Sequence, residues 1–316
     1  MRKIKETIHL LRGYSKDKEL CKGSPVKLFN FCNIKKPEDV WFYNFIHSEF
    51  PDKLSSKKEI AVFSVYGTRS KIKLNRSPVK LFFTSENIDN YSEYSDHCLA
   101  EVDLVLGFEH LQEQNYLRFP LWILYFIPSA LNPQMIRKAV YNMSHFNHDD
   151  ISSRKFCCMV CSHDGDGARP AIYHSLSEIE KVDSGGSYLN NTNDLKELCA
   201  DDKRLFLTRY KFNICPENSD GDGYVTEKLF EAINSGCIPI YMGSNNNPEP
   251  NVINKDAVLF YSGPESLESL KKQVAELHSN EKLYREFISQ ERFLPTAAEF
   301  VLDTISELKK RIDLLL

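Results

Sequence analysis

From Tyr210 to Ala232 the chain reads Tyr-Lys-Phe-Asn-Ile-Cys-Pro-Glu-Asn, a loop from Ser219 to Gly223, and then Tyr-Val-Thr-Glu-Lys-Leu-Phe-Glu-Ala. A strand, a glycine-bearing loop and a helix start in this order suit a phosphorylated ligand. Gly221 and Gly223 permit positive φ and a close backbone approach. Thr226 is placed as the N-cap, and a helix N-terminus with outward N–H groups attracts phosphate. Lys228, in the first turn, adds a full positive charge to the helix dipole, which suits a leaving pyrophosphate, while Glu227 can accept hydrogen bonds from ribose hydroxyls. An isolated Glu-Lys pair is usually a solvated first turn. Here the flanking strand and loop favour a site.

The elements that must hold these residues follow an α/β alternation. Ser235-Gly236 ends the helix, with glycine as its C-terminal cap, and residues 237–244 return as a strand and turn. Upstream, apolar runs predict strands at 155–161 and 211–215 with a helix over 169–179 between them. In the first half, strands are expected at 26–31, 60–65, 79–83 and 102–107, with a helix from Pro37 to about Phe50. Repeated strand-then-helix order implies parallel sheets, whose ligands bind beside the carboxyl ends of the strands. Glu86 follows one such strand and sits where a functional carboxylate would. The polar stretch 145–154 is the expected linker between two α/β domains, and helical spacing from Ser266 onward predicts C-terminal helices.

Bulk properties remove several classes. A formal net charge of −4 argues against a general nucleic-acid-binding surface. No apolar run approaches the roughly 20 residues of a membrane-spanning helix. The N-terminus lacks the pattern of a secretory signal, and nine irregularly spaced cysteines suit reduced thiols, so the expected compartment is cytoplasmic. Ile4, Ile8 and Leu11, with Lys3, Lys5 and Arg12, could make a basic amphipathic helix at a membrane surface, so contact with the inner membrane is at most peripheral. Cys157, Cys158 and Cys161 lie in an apolar strand without a second ligand pair at zinc spacing and are read as core. Asp164 and Asp166 are too few for a calcium loop. Gly185-Gly186 is either a turn or a close approach to the nucleotide. Trp41, Tyr43 and Trp122 could stack on sugars but suit the core better.

Residues 210–244, with their Tyr-Lys-Phe-Asn-Ile-Cys-Pro-Glu-Asn, Gly-Tyr-Val-Thr-Glu-Lys-Leu and Ile-Pro-Ile-Tyr-Met-Gly-Ser, resemble the signature block of the α-1,3/1,4-fucosyltransferases, glycosyltransferase family 10, in their bacterial form. Phe82-Phe83-Thr84-Ser85-Glu86-Asn87, Leu117-Arg118-Phe119-Pro120-Leu121, and Arg169-Pro170-Ala171-Ile172-Tyr173 leading to Val182-Asp183-Ser184-Gly185-Gly186 resemble the family in the same order. The resemblance implies a GT-B fold, two Rossmann-like domains facing a central cleft. Residues 1–150 would bind the acceptor, 151–295 would bind GDP-fucose, and 296–316 would form a C-terminal helix packing across the domains.

It also implies inverting transfer of L-fucose from GDP-β-L-fucose to a GlcNAc or N-acetyllactosamine-type hydroxyl, on an oligosaccharide that is lipid-linked or part of a lipopolysaccharide among the candidates. Glu86 matches the general base. Arg169 and Lys228 match the basic pair on the pyrophosphate, Asn218, Tyr224 and Glu227 match donor contacts, and Gly186 is the weakest of the donor-side candidates. Arg169 and Lys228 could substitute for a metal, so no cofactor is required, although stimulation by a divalent cation stays open. Two departures stand out: the acidic insert His163-Asp164-Gly165-Asp166-Gly167-Ala168 before Arg169, and the lack of the heptad repeats and basic tail of many bacterial relatives. A transferase using another nucleotide sugar, or a catalytically silent binder of the same fold, are the alternatives.

Overall fold

The computed structural model describes residues 2–55, 57–130, 132–146 and 153–316. It divides into two units, Met1–Ile136 with Val301–Leu316, and Arg137–Phe300. The first division falls inside a helix, Pro133–Ser144, rather than in the polar stretch expected as the linker, of which residues 147–152 lie outside the described residues.

The first unit is a five-stranded parallel sheet in sequential order, β1 Val26–Phe29, β2 Ile60–Ser64, β3 Val79–Phe83, β4 Leu104–Gly107 and β5 Tyr116–Arg118. Every residue of β2 and β4 is buried, the signature of a parallel strand covered on both faces, and it explains why these segments read as unbroken apolar runs. Helices α1 Arg2–Leu20, α2 Trp41–Glu49, α3 Ser70–Leu74 and α4 Leu121–Phe126 connect or flank the strands. The helix expected from Pro37 breaks into a 3-10 turn, Pro37–Asp39, followed by α2. Trp41 and Trp122 are core residues, as the core reading had it. Strand β5 is too short to carry a periodic signal and was not anticipated.

The second unit is also a five-stranded parallel sheet, in the order β10-β9-β8-β6-β7. Its strands are β6 Lys155–Met159, β7 Val182–Ser184, β8 Tyr210–Ile214, β9 Ile238–Tyr241 and β10 Leu259–Phe260. After α5 Pro133–Ser144 come α6 Ala168–Ser177, α7 Asp194–Glu197, α8 Lys203–Leu207, α9 Glu227–Asn234, α10 Leu267–Ser279 and α11 Glu281–Ile288. Phe156, Cys157 and Met159 of β6 pack with Ile172 of α6, Val274 and Leu277 of α10, and Tyr284 and Ile288 of α11. Cys157 and Cys158 are therefore core, and all nine cysteines are free thiols.

Helix α12, Ala297–Leu315, begins in the second unit, and its remainder belongs to the first. There Lys309 Nζ meets Glu49 Oε2 at 2.7 Å, and Arg311 donates to the carbonyls of Gln114 and Tyr116 at 3.1 and 2.8 Å. No helix among the described residues is long and apolar enough to cross a membrane.

Candidate active site

In the second unit the register of the sheet decides which loops meet. Met159 of β6 lies opposite Ile214 of β8 and Ser184 of β7, and Ile214 opposite Ile240 of β9, so the chain leaves these four strands at one level. The loops that follow, and the helix starts they lead into, carry every donor-side residue singled out by sequence. This is the edge at which ligands bind in open parallel sheets.

Beyond β8, the backbone N–H of Glu217 donates to Met242 O at 2.9 Å, and its side chain is buried. Its carboxylate is fully buried and collects the start of α9. Oε1 accepts from the Thr226 N–H at 2.7 Å and the Tyr241 hydroxyl at 3.2 Å, and Oε2 accepts from the Thr226 hydroxyl at 2.6 Å and Lys228 Nζ at 3.1 Å. Thr226 does occupy the N-cap position, but its hydroxyl makes no cap bond because it is given to Glu217. Lys228 Nζ also lies 2.9 Å from Thr226 Oγ1 and 3.7 Å from Glu227 Oε1. Burial opposes the charged ammonium, yet the Glu217 and Glu227 carboxylates outweigh it and hold the Lys228 pKa above the ordinary lysine value. The positive charge expected at this helix start is thus present, and it is already paired.

Arg169, in the first turn of α6, is 3% exposed and ties two loops together. It donates to His163 O at 2.6 Å, to Pro216 O at 3.1 Å and to Asn218 Oδ1 at 2.8 Å. The acidic insert supplies one of these acceptors, the His163 carbonyl. Gly165 within that insert lies so close to Asn218 that a Cβ there would sit 2.1 Å from the Asn218 carbonyl oxygen. Asn218 therefore pins the loop and at the same time orients Arg169. Tyr224 is buried, at 3% exposure, and Glu227 opens α9. Of the two loop glycines only Gly223 has positive φ, +70°, and its N–H donates to Ser244 Oγ at 3.2 Å.

Gly186 lies against the chain's own backbone at Cys161. A Cβ there would lie 2.1 Å from Cys161 O and 2.6 Å from Cys161 N, backbone atoms that cannot step aside as a flexible side chain would. Gly186→Ala is expected to destabilise the second unit by about 1–3 kcal/mol and to weaken nucleotide binding, checked by thermal melts with and without GDP. Three cations sense the Cys161 thiol: its pKa is raised by burial, while Arg169, Lys203 and Lys228 pull it down. Lys203 of α8, bonded to Glu231 of α9, was not singled out by sequence, nor was Glu217. Both act through partners on other elements.

In the first unit, Ser64 of β2 lies opposite Phe83 of β3, so Tyr66 and Glu86 emerge side by side from adjacent strand ends. The Tyr66 hydroxyl donates to Glu86 Oε1 at 3.0 Å, and its pKa is raised by burial and by the Glu86 carboxylate. The Tyr91 ring meets Tyr66 edge-on at 6.3 Å, and Ser64 and Ser85 share a hydrogen bond of 2.9 Å beneath. A carboxylate framed by partly exposed tyrosines can accept a proton from a sugar hydroxyl. Among the described residues no group of three or more His, Cys, Asp or Glu is disposed to hold a metal ion.

Two family models match the chain in order. The FucT N-terminal domain of α-(1,3)-fucosyltransferases covers residues 26–125, and the C-terminal region of glycosyltransferase family 10 (fucosyltransferase) covers 151–305. The chain belongs to glycosyltransferase family 10. It is 31% identical over 203 residues to α-(1,3)-fucosyltransferase FucT of Helicobacter pylori, a stretch covering 56% of this chain and 40% of that protein. It is 30% identical over 149 residues to GDP-fucose protein O-fucosyltransferase 3 of Xenopus tropicalis, covering 45% of this chain and 31% of the relative. The chain thus spans less than half the length of these relatives. A crystal structure of an α1,3-fucosyltransferase superposes with a TM-score of 0.59 at 20% identity, covering 90% of this chain and 89% of the other. A second, with GDP-fucose, gives 0.53 at 21% identity, covering 82% and 79%. Two parallel-sheet α/β units with C-terminal helices are the GT-B fold expected for family 10.

Proposed function

We propose that the protein transfers L-fucose from GDP-β-L-fucose to a hydroxyl of a GlcNAc or N-acetyllactosamine-type oligosaccharide, with inversion at the anomeric carbon. The observation that carries this reading is the paired, partly buried cation Lys228 at the start of α9, next to Arg169 and Asn218 at the same sheet edge, in a chain whose fold superposes on a transferase solved with GDP-fucose. Glu86 takes the proton of the acceptor hydroxyl as its oxygen bonds to the anomeric carbon. The bond from that carbon to the pyrophosphate breaks, and its electron pair leaves on GDP.

Lys228 and Arg169 stabilise that growing negative charge, a role that preorganised cations perform without reorganising. Glu227 accepts from sugar hydroxyls, Tyr224 and Asn218 complete the donor contacts, and Gly186, packed on the Cys161 backbone, sets the loop beside them. With two cations in place, catalysis needs no bound metal. The reaction is assigned to the cytoplasm, with at most peripheral contact with the inner membrane. The free thiols support that assignment.

The test is purified protein with GDP-fucose or GDP-mannose, with and without EDTA, against N-acetyllactosamine, lacto-N-biose and chitobiose, following GDP release and product mass. Fucosylated product that persists in EDTA to within about twofold is expected, since charge stabilisation by side chains does not depend on a removable ion. Product from GDP-mannose alone, or GDP binding without product from any acceptor, would replace this reading with one of its two alternatives.

A further inference from the structure

We infer that Glu217 is the positioning residue of the donor site, holding the start of α9 and the Lys228 ammonium in place for a nucleoside diphosphate. The inference rests on the reading of these strand ends as the nucleotide-sugar site. Glu217 accepts hydrogen bonds from the Thr226 N–H, the Thr226 hydroxyl, Lys228 Nζ and the Tyr241 hydroxyl, which join the exit of β8 to β9 and to α9. Gly243 leaves the space its side chain occupies. A Cβ on Gly243 would sit 2.6 Å from Glu217 Cγ, and Gly243 has a φ of +149°. Four hydrogen bonds then hold the carboxylate, and through it the ammonium.

A buried carboxylate is costly unless paired, and a residue serving stability alone could be apolar at such a position. Here the charge has a use. The Lys228 side chain is 18% exposed, and its ammonium stands in a setting that disfavours charge unless a carboxylate holds it. The groups facing it are Glu217 from the loop after β8, Glu227 and Glu231 from its own helix, Arg169 from α6 and Cys161 from the loop after β6. Tyr241 of β9 faces Glu217. Remove the Glu217 charge and desolvation, together with Arg169, pushes Lys228 toward its neutral form, leaving Glu227 and Glu231 to oppose it.

GDP affinity measured by calorimetry from pH 7.5 to 10, as a ratio of wild type to variant so that ionisation of the nucleotide cancels, tests this. Glu217→Gln is expected to bind GDP about 10–100-fold more weakly at pH 7.5, the loss of one charge-assisted contact, and to fall about a further tenfold by pH 10. In a Lys228→Met background the same change is expected to have less than about threefold effect, because the two residues then no longer couple. An affinity ratio near one at every pH overturns the inference, as does a uniform loss that persists in Lys228→Met. Should Glu217→Gln not fold, Glu217→Asp is read by the same criteria. If wild-type protein binds no GDP at all, the donor-site reading fails, which is a different result from a variant indistinguishable from a GDP-binding wild type.

Discussion

Replacing Glu86 by glutamine is expected to lower kcat by about 10²–10⁴-fold while leaving GDP affinity within about twofold of wild type. The amide keeps the size of the side chain and can still meet the Tyr66 hydroxyl, but it cannot take a proton from an attacking sugar hydroxyl. Glu86 belongs to the first unit and the nucleotide-side residues to the second, so binding and chemistry separate cleanly in this variant. Initial rates with saturating GDP-fucose, set beside GDP calorimetry, check it. Wild-type turnover in Glu86→Gln removes Glu86 from the mechanism, and an equal loss of GDP binding makes it a structural residue.

Lys228→Ala is expected to raise the Kd for GDP about 10–100-fold and to lower kcat about 10²–10³-fold, because in the proposed reaction the ammonium stabilises negative charge both in the bound nucleotide and in the leaving group. It should also destabilise the protein by about 3–5 kcal/mol, since it leaves the Glu217 carboxylate buried without its cation. Urea unfolding and GDP titration on the same preparation check both effects. Adding Glu217→Gln is expected to restore part of the stability and none of the GDP binding. The sign of the pH dependence follows from the raised pKa of Lys228. The pair's contribution is fully present below the ordinary lysine value of about 10.4 and is lost as pH rises through the higher folded value, so at neutral pH the variant shows the whole cost.

Much of this site could be read from the chain, because its recognition segments are local. The strand, loop and helix of residues 210–234 are consecutive, and apolar runs placed β2, β3, β6, β8 and β9 close to their observed bounds. Glu86 was found by its position after β3. Strands β5 and β7, of three residues each, escaped because periodicity needs more length to show. The division within α5 escaped as well, since a helix that straddles two units has the same local pattern as one that does not.

Residue types and spacing alone pointed to the parallel α/β architecture and to Lys228 at a helix start, while the family and the choice of Arg169 came from resemblance of whole segments. Tertiary structure alone decided what those cations touch. Arg169 reaches Asn218 across two loops, Gly186 meets the backbone of Cys161, Tyr66 meets Glu86, and Lys228 shares the buried carboxylate of Glu217. The reason is physical. Hydrophobic periodicity encodes where each strand and helix lies, but strand register brings distant strand ends to one level, and burial then selects which of several nearby charges must be paired.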